Sequence, residues 1–94
     1  MQLQENNHQL LATLFADIQG YTTLMQNDEQ KAVEIVKEFK ETLEREVADH
    51  NGKVIQFYGD AIMAVFPSSV DAVSAAQIMQ RAFNSAGHIP VRIG

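Results

Sequence analysis

The spacing of apolar positions changes along the chain, and each spacing predicts an element. Residues 1–9, Met1-Gln-Leu-Gln-Glu-Asn-Asn-His-Gln, hold too few apolar side chains to pack and are expected as a flexible N-terminal tail. Leu10-Leu-Ala-Thr-Leu-Phe-Ala16 is a short apolar run of bulky side chains, bounded by Asp17 and a turn at Gly20, and predicts a buried strand. From residue 28 to about His50 the period lengthens. Ala32, Ile35, Val36, Phe39, Leu43 and Val47 recur every three or four residues, the stripe of a helix with one buried face. Asn27-Asp28 supplies N-cap chemistry for it, and Asn51-Gly52 ends it, with Gly52 expected in the left-handed position after the cap.

Lys53-Val-Ile-Gln-Phe-Tyr58 and Ala61-Ile-Met-Ala-Val-Phe66 are β-rich runs joined by Gly59-Asp60, which predicts a tight hairpin. Pro67-Ser68-Ser69 stops the second strand. Either serine can cap a further helix, with Asp71 favourable in its first turn and Ala72, Ala76, Met79 and Phe83 facing inward. Residues 84–88 read as a turn, and Pro90-Val-Arg-Ile93 as a last strand. The order strand, helix, strand, strand, helix, strand predicts an α+β fold of the ferredoxin-like or palm type. Its four-stranded antiparallel sheet carries both helices on one face. The opposite face is left bare and calls for a partner, a second copy or a further segment. The expected organisation is a tail over 1–9 and one palm core over 10–94.

Ninety-four residues, 46% hydrophobic and 20% charged, suffice for one small domain. Seven basic residues against twelve acidic ones leave a net charge of −5, which argues against a nucleic-acid partner or an anionic membrane surface. Eight acids and four bases fall within 28–50 and read as a solvated helix face, with Glu41/Arg45 and Lys40/Glu44 spaced to pair across one turn. The absence of cysteine excludes disulfides, thiolate nucleophiles and cysteine-based zinc sites. No apolar run is long enough to insert into a bilayer, and the polar N-terminus is unlike a signal peptide. A cytoplasmic chain, or a cytoplasmic domain of a larger protein, is expected.

Two acids stand apart from the solvated ones. Asp17 ends the first strand and Asp60 sits in the hairpin turn; a palm topology brings both to one end of the sheet. Neighbouring carboxylates repel unless protonated or bridged by cations. Phosphoryl chemistry resolves such a pair with hard divalent ions held by oxygen ligands. Ile18-Gln-Gly-Tyr-Thr-Thr23 follows at once, and a glycine turn leading into a helix presents backbone N–H groups to phosphate oxygens. On spacing alone a plainer reading stands beside this one, in which Asp17 caps the next turn and Asp60 is a type I′ turn residue. His8, His50 and His88 lack metal-ligand spacing, His50 being placed at a helix C-terminus. Ser68, Ser69 and Ser74 have no neighbouring base for nucleophilic catalysis.

Phe15-Ala-Asp-Ile-Gln-Gly-Tyr-Thr22 resembles the F-x-D-I-x-G-[FY]-T signature that opens the catalytic domain of class III nucleotidyl cyclases. Gly52-Lys-Val-Ile-Gln-Phe-Tyr-Gly-Asp-Ala-Ile-Met-Ala-Val-Phe66 is similar to the family's second signature, with its Gly-Asp between hairpin strands, and Val91-Arg-Ile-Gly94 to the strand after the second helix. The likeness covers about Leu11 to Gly94, as the N-terminal half of that domain. It implies that Asp17, Asp60 and the carbonyl of Ile18 bind two Mg²⁺ or Mn²⁺ ions, and that the amides of Gln19, Gly20, Tyr21, Thr22 and Thr23 hold a triphosphate. The implied reaction converts ATP, or GTP, to a 3′,5′-cyclic nucleotide and pyrophosphate for intracellular signalling. Gln56 stands where many adenylyl members carry a purine-reading lysine; an amide both donates and accepts, so the choice of base stays open, with adenine favoured.

The family's ribose-binding Asn and transition-state Arg lie beyond the matched half. The resemblance therefore implies a core truncated on its C-terminal side, nearly inactive alone and completed by a homodimer or a complementary C-terminal segment. Two alternatives keep the fold: a non-catalytic cyclase-like sensor or dimerisation module, and a diguanylate cyclase palm. The second is disfavoured because Tyr58-Gly-Asp-Ala61 is not the G-G-[DE]-E-F turn.

Overall fold

The computed structural model describes residues 2–6, 9–85 and 89–94. The elements run β1 (Gln2–Asn6), β2 (Gln9–Ile18), α1 (Tyr21–Asn27), α2 (Glu29–Asp49), β3 (Lys53–Tyr58), β4 (Ala61–Phe66), α3 (Ser69–Ser85) and β5 (Val91–Ile93). All strand pairs are antiparallel, and β2 organises them. One edge of β2 carries β4, from Ala12↔Phe66 to Asp17↔Ala61. Its other edge is shared lengthwise by β1, opposite Gln9–Thr13, and β5, opposite Ala16–Ile18. β3 closes the far side on β4.

The four expected strands are therefore present as β2 to β5 in the palm arrangement, joined by a fifth. That fifth strand, β1, stands over Gln2–Asn6, within the stretch expected as a flexible tail. Backbone pairing to the free edge of β2 uses N–H and C=O groups and needs no apolar side chains, so composition does not reveal it.

Alternation along the strands sets the core. Ala12, Leu14, Ala16 and Ile18 of β2 and Ile62, Ala64 and Phe66 of β4 are buried on one face, together with Phe39, Leu43 and Val47 of α2 and Ala72, Ala75, Met79 and Phe83 of α3. The Phe39 and Phe83 rings meet at 5.7 Å and join the two helices above the sheet. Ile35, Val36 and Ala76, expected in the buried stripes, are partly buried at its margin. On the opposite face Phe15 and Tyr58 are 41% and 50% exposed, yet Thr13 is fully buried, so this face is only partly bare.

Asp28 caps α2 as expected, its Oδ1 accepting from the Lys31 amide at 3.1 Å, and Ser68 is the serine that caps α3 through the Asp71 amide at 3.1 Å. The chain ahead of α2 is also helical: α1 ends at Asp28, whose extended φ of −152° separates the two helices. At the other end of α2 the left-handed residue is Asn51, at φ 64°, and not Gly52. The Gly52 and Asn51 amides return to Val47 and Ala48 carbonyls at 2.8 and 3.3 Å, a Schellman closure. Gly52 is required for space: a Cβ there would stand 2.5 Å from the Phe66 ring and 2.9 Å from Val47. The expected helix-face pairs give way to other contacts: Arg45 Nε meets Glu46 at 3.1 Å, and Lys40 Nζ lies 5.1 Å from the centre of the Phe57 ring.

Candidate active site

The two singled-out acids line one cleft at the end of the sheet because β2 and β4 pair in the register Asp17↔Ala61, one residue from Asp60. The turn is tied down directly, the Ile18 amide donating to the Asp60 carbonyl at 3.0 Å. Gly59, at φ 65°, takes the left-handed position at the first turn residue, while Asp60 does not adopt a positive φ. A glycine-first turn satisfies the twist of the hairpin without an αL aspartate, so the type I′ reading of Asp60 does not hold. Nor does Asp17 cap α1. The cap residue there is Gly20, at φ 71°, with no side-chain hydrogen bond.

The first amides of α1, those of Tyr21, Thr22 and Thr23, have no intrahelical acceptor, and Gly20 just before them shares a cleft with the two acids. The Gln19 amide differs from the others in the expected phosphate turn, because it donates to the Pro90 carbonyl at 2.7 Å. That bond anchors the start of β5 against the end of β2. Asp17, Ile18, Gln19, Gly20, Asp60, Ala61 and Arg92 line an open, largely polar cleft of about 450 Å³.

Gln56 lies on this side of the sheet because it stands two residues before Tyr58 in the regular part of the β3–β4 ladder, where it pairs with Met63, itself opposite Phe15. The bulge of β3 lies beyond it, between Val54 and Gln56, and returns Val54 to the helix side. Gln56 and Tyr58 then share the sheet face of Asp17, while Val54 and Phe57 pack toward the helices. His50 is the C-cap residue of α2, its Nδ1 2.7 Å from the Glu46 carbonyl; His8 and His88 lie outside the described residues.

Arg92 is the cleft residue that no motif argument assigned. β5 pairs it with Asp17, and its Nη2 donates to Asp17 Oδ2 at 3.0 Å. The signal was present in Val91-Arg-Ile93, where strand alternation puts Arg92 on the face opposite its buried neighbour, but the partner emerges only from the register.

Among the described residues no group of three or more His, Cys, Asp or Glu side chains gathers as a metal cage. The carboxylates of Asp17 and Asp60 and the Ile18 carbonyl would offer an all-oxygen donor set of low count. That suits Mg²⁺ or Mn²⁺, which retain waters and complete their shell with substrate phosphates. One oxygen of Asp17 is already engaged by Arg92.

The sequence pattern of the adenylate and guanylate cyclase catalytic domain matches residues 3–89, and the chain belongs to that family. It is 38% identical over 78 residues to "Putative adenylate cyclase 3" of Rhizobium meliloti (strain 1021), covering 82% of this chain and 13% of that protein. Its structure is similar to a bacterial light-regulated adenylyl cyclase, with a TM-score of 0.81 and 22% identity over 89% of this chain and 50% of the other. A guanylyl cyclase structure gives 0.69 and 19% over the same shares. The chain thus spans a small part of its curated relative and half of each of these two solved cyclases.

Proposed function

We propose that this chain provides the metal- and triphosphate-binding half of a class III nucleotidyl cyclase site, acting on ATP or, in a second choice, GTP. The observation that carries the reading is the placement of Asp17, near the end of β2, and Asp60, in the adjoining β3–β4 turn, in one cleft with the Gly20 cap of α1, in a chain of this family. Two Mg²⁺ or Mn²⁺ ions held there would supply the Lewis acidity that turns a ribose 3′-hydroxyl into a nucleophile for the α-phosphate. Asp17, Asp60 and the Ile18 carbonyl hold those ions. The Ile18–Asp60 backbone bond keeps the two acids in register, and the amides of Gly20 to Thr23 face the phosphate oxygens. Gln56, two positions along the same face, meets the purine edge with an amide that can accept as well as donate.

The ribose contact and the charge that stabilises the transferring phosphate come, in this reading, from a complementary C-terminal segment. Loss of an arginine in that role costs about 10³–10⁵ in rate, so the 94 residues alone are nearly inactive. A nucleoside triphosphate substrate puts the reaction in the cytoplasm. No helix among the described residues is long and apolar enough to cross a membrane.

Calorimetric titration of Mn²⁺ with a non-cyclisable ATP analogue, repeated with the GTP analogue, tests the proposal. Nucleotide binding that depends on the metal and disappears in the double variant Asp17→Asn, Asp60→Asn is the expected result. Equal binding by the double variant would move the site elsewhere and overturn it.

A further inference from the structure

We infer that Arg92 is a resident cation of the Asp17–Asp60 site: it holds Asp17 while no divalent ion is present and gives up the carboxylate when one arrives. The inference rests on the metal-binding reading above. Three observations support it. Arg92 and Asp17 are directly opposed on paired strands, so the contact follows from register and is not an accident of long surface side chains. The guanidinium takes Oδ2 at 3.0 Å, one of the few oxygens the site offers a metal. Both partners line the same cleft as Asp60, so Arg92 offsets part of the repulsion between the two acids.

The pair is also built to be replaced. Its side chains are 69% exposed at Arg92 and 34% at Asp17, and one N–H···O bond joins them where a forked contact would hold harder. The backbone beneath does not need to move. Phe15 and Gly94 exchange both amide–carbonyl bonds at 2.9 and 2.8 Å, and the Gln19–Pro90 bond holds the other end of β5. Exchange of Arg92 for a divalent ion is therefore a side-chain rotation on a fixed strand. Its consequence is a raised threshold: the site fills only when the metal outcompetes an internal charge.

The test uses Mn²⁺ alone, without nucleotide, with free ion read from its electron paramagnetic resonance signal. Wild type, Arg92→Gln, Arg92→Lys and Asp17→Asn are compared after circular dichroism shows each to be folded. Exposed ion pairs weigh about two- to five-fold in an equilibrium, so Arg92→Gln is expected to bind Mn²⁺ about two- to five-fold more tightly than wild type. Arg92→Lys, which keeps the charge, should stay near wild type, and Asp17→Asn should bind weakest. In EDTA, Arg92→Gln should melt below wild type, and added Mn²⁺ should close that gap. If wild type binds Mn²⁺ through Asp17 and Arg92→Gln binds equally or less tightly, the resident-cation role is wrong while the metal reading stands. If neither wild type nor Arg92→Gln binds the ion, the metal reading fails and takes this inference with it.

Discussion

Asp28 shows how local chemistry at one residue carries through to the architecture. Its carboxylate caps α2 through the Lys31 amide, and its extended backbone ends α1 at the same point. Replacing it with Ala should cost about 0.5–2 kcal/mol, measurable by denaturant unfolding, because the cap is lost while the apolar stripe remains. Gly52 works the other way, through absence. A methyl group there meets a rigid Phe66 ring and Val47, so Gly52→Ala should destabilise by about 1–3 kcal/mol in the same measurement. Neither change touches the acids, so metal binding by the folded fraction should survive both. At Gln56 the expected outcome concerns choice and not stability. Gln56→Lys should shift the relative affinity for ATP and GTP analogues toward ATP, since a lysine only donates and many adenylyl relatives carry it at the matching place.

Among the elements, β1 and α3 make contrasting contributions. β1 adds to β2 by backbone pairing along Gln9–Thr13, beside the site-bearing stretch Ala16–Ile18 and not within it. Removal of residues 1–6 should therefore speed amide hydrogen exchange along 9–13 and leave the β2–β4 ladder protected, a difference that exchange mass spectrometry resolves. α3 holds the core. Phe83 is buried against Phe39, and Phe83→Ala should cost about 3–5 kcal/mol, because the cavity it leaves lies between two helices and a sheet that cannot all collapse into it. Such a loss is a large share of what a domain of this size has in hand.

For the whole molecule, one helix-covered core positions a cleft at the far end of its central strands. Exposed Phe15 forms one cross-strand row with Met63 and Gln56 on the face away from the helices, and exposed Tyr58 lies in the next row with Ala61 and Asp17. Fusing the chain to the remainder of a family catalytic domain should raise cyclic-nucleotide formation by about 10³ or more over the chain alone, with the gain lost when Asp17 and Asp60 are both changed to Asn.

Much of this was legible in the order of residues. The apolar run before Asp17, the stripe from Ala32 to Val47, the Gly59-Asp60 turn and the serine cap of α3 each follow from a local rule of period or capping, and each rule held. The two signature strings, read together, pointed to the family. Long-range placement is another matter, because register and edge pairing depend on contacts that no local rule encodes. The bulge at Ile55 turns Val54 toward the helices, where a regular ladder from the Gly59-Asp60 turn would have pointed it away from them. The free edge of β2 recruits β1 from a segment whose side chains show no strand pattern. The pairing of β5 sets Arg92 on Asp17 across 75 residues of chain. Periodicity and capping determine what the core segments become; only the tertiary register decides which edges are filled and which side chains meet, since meeting depends on how strands slide and bulge against one another.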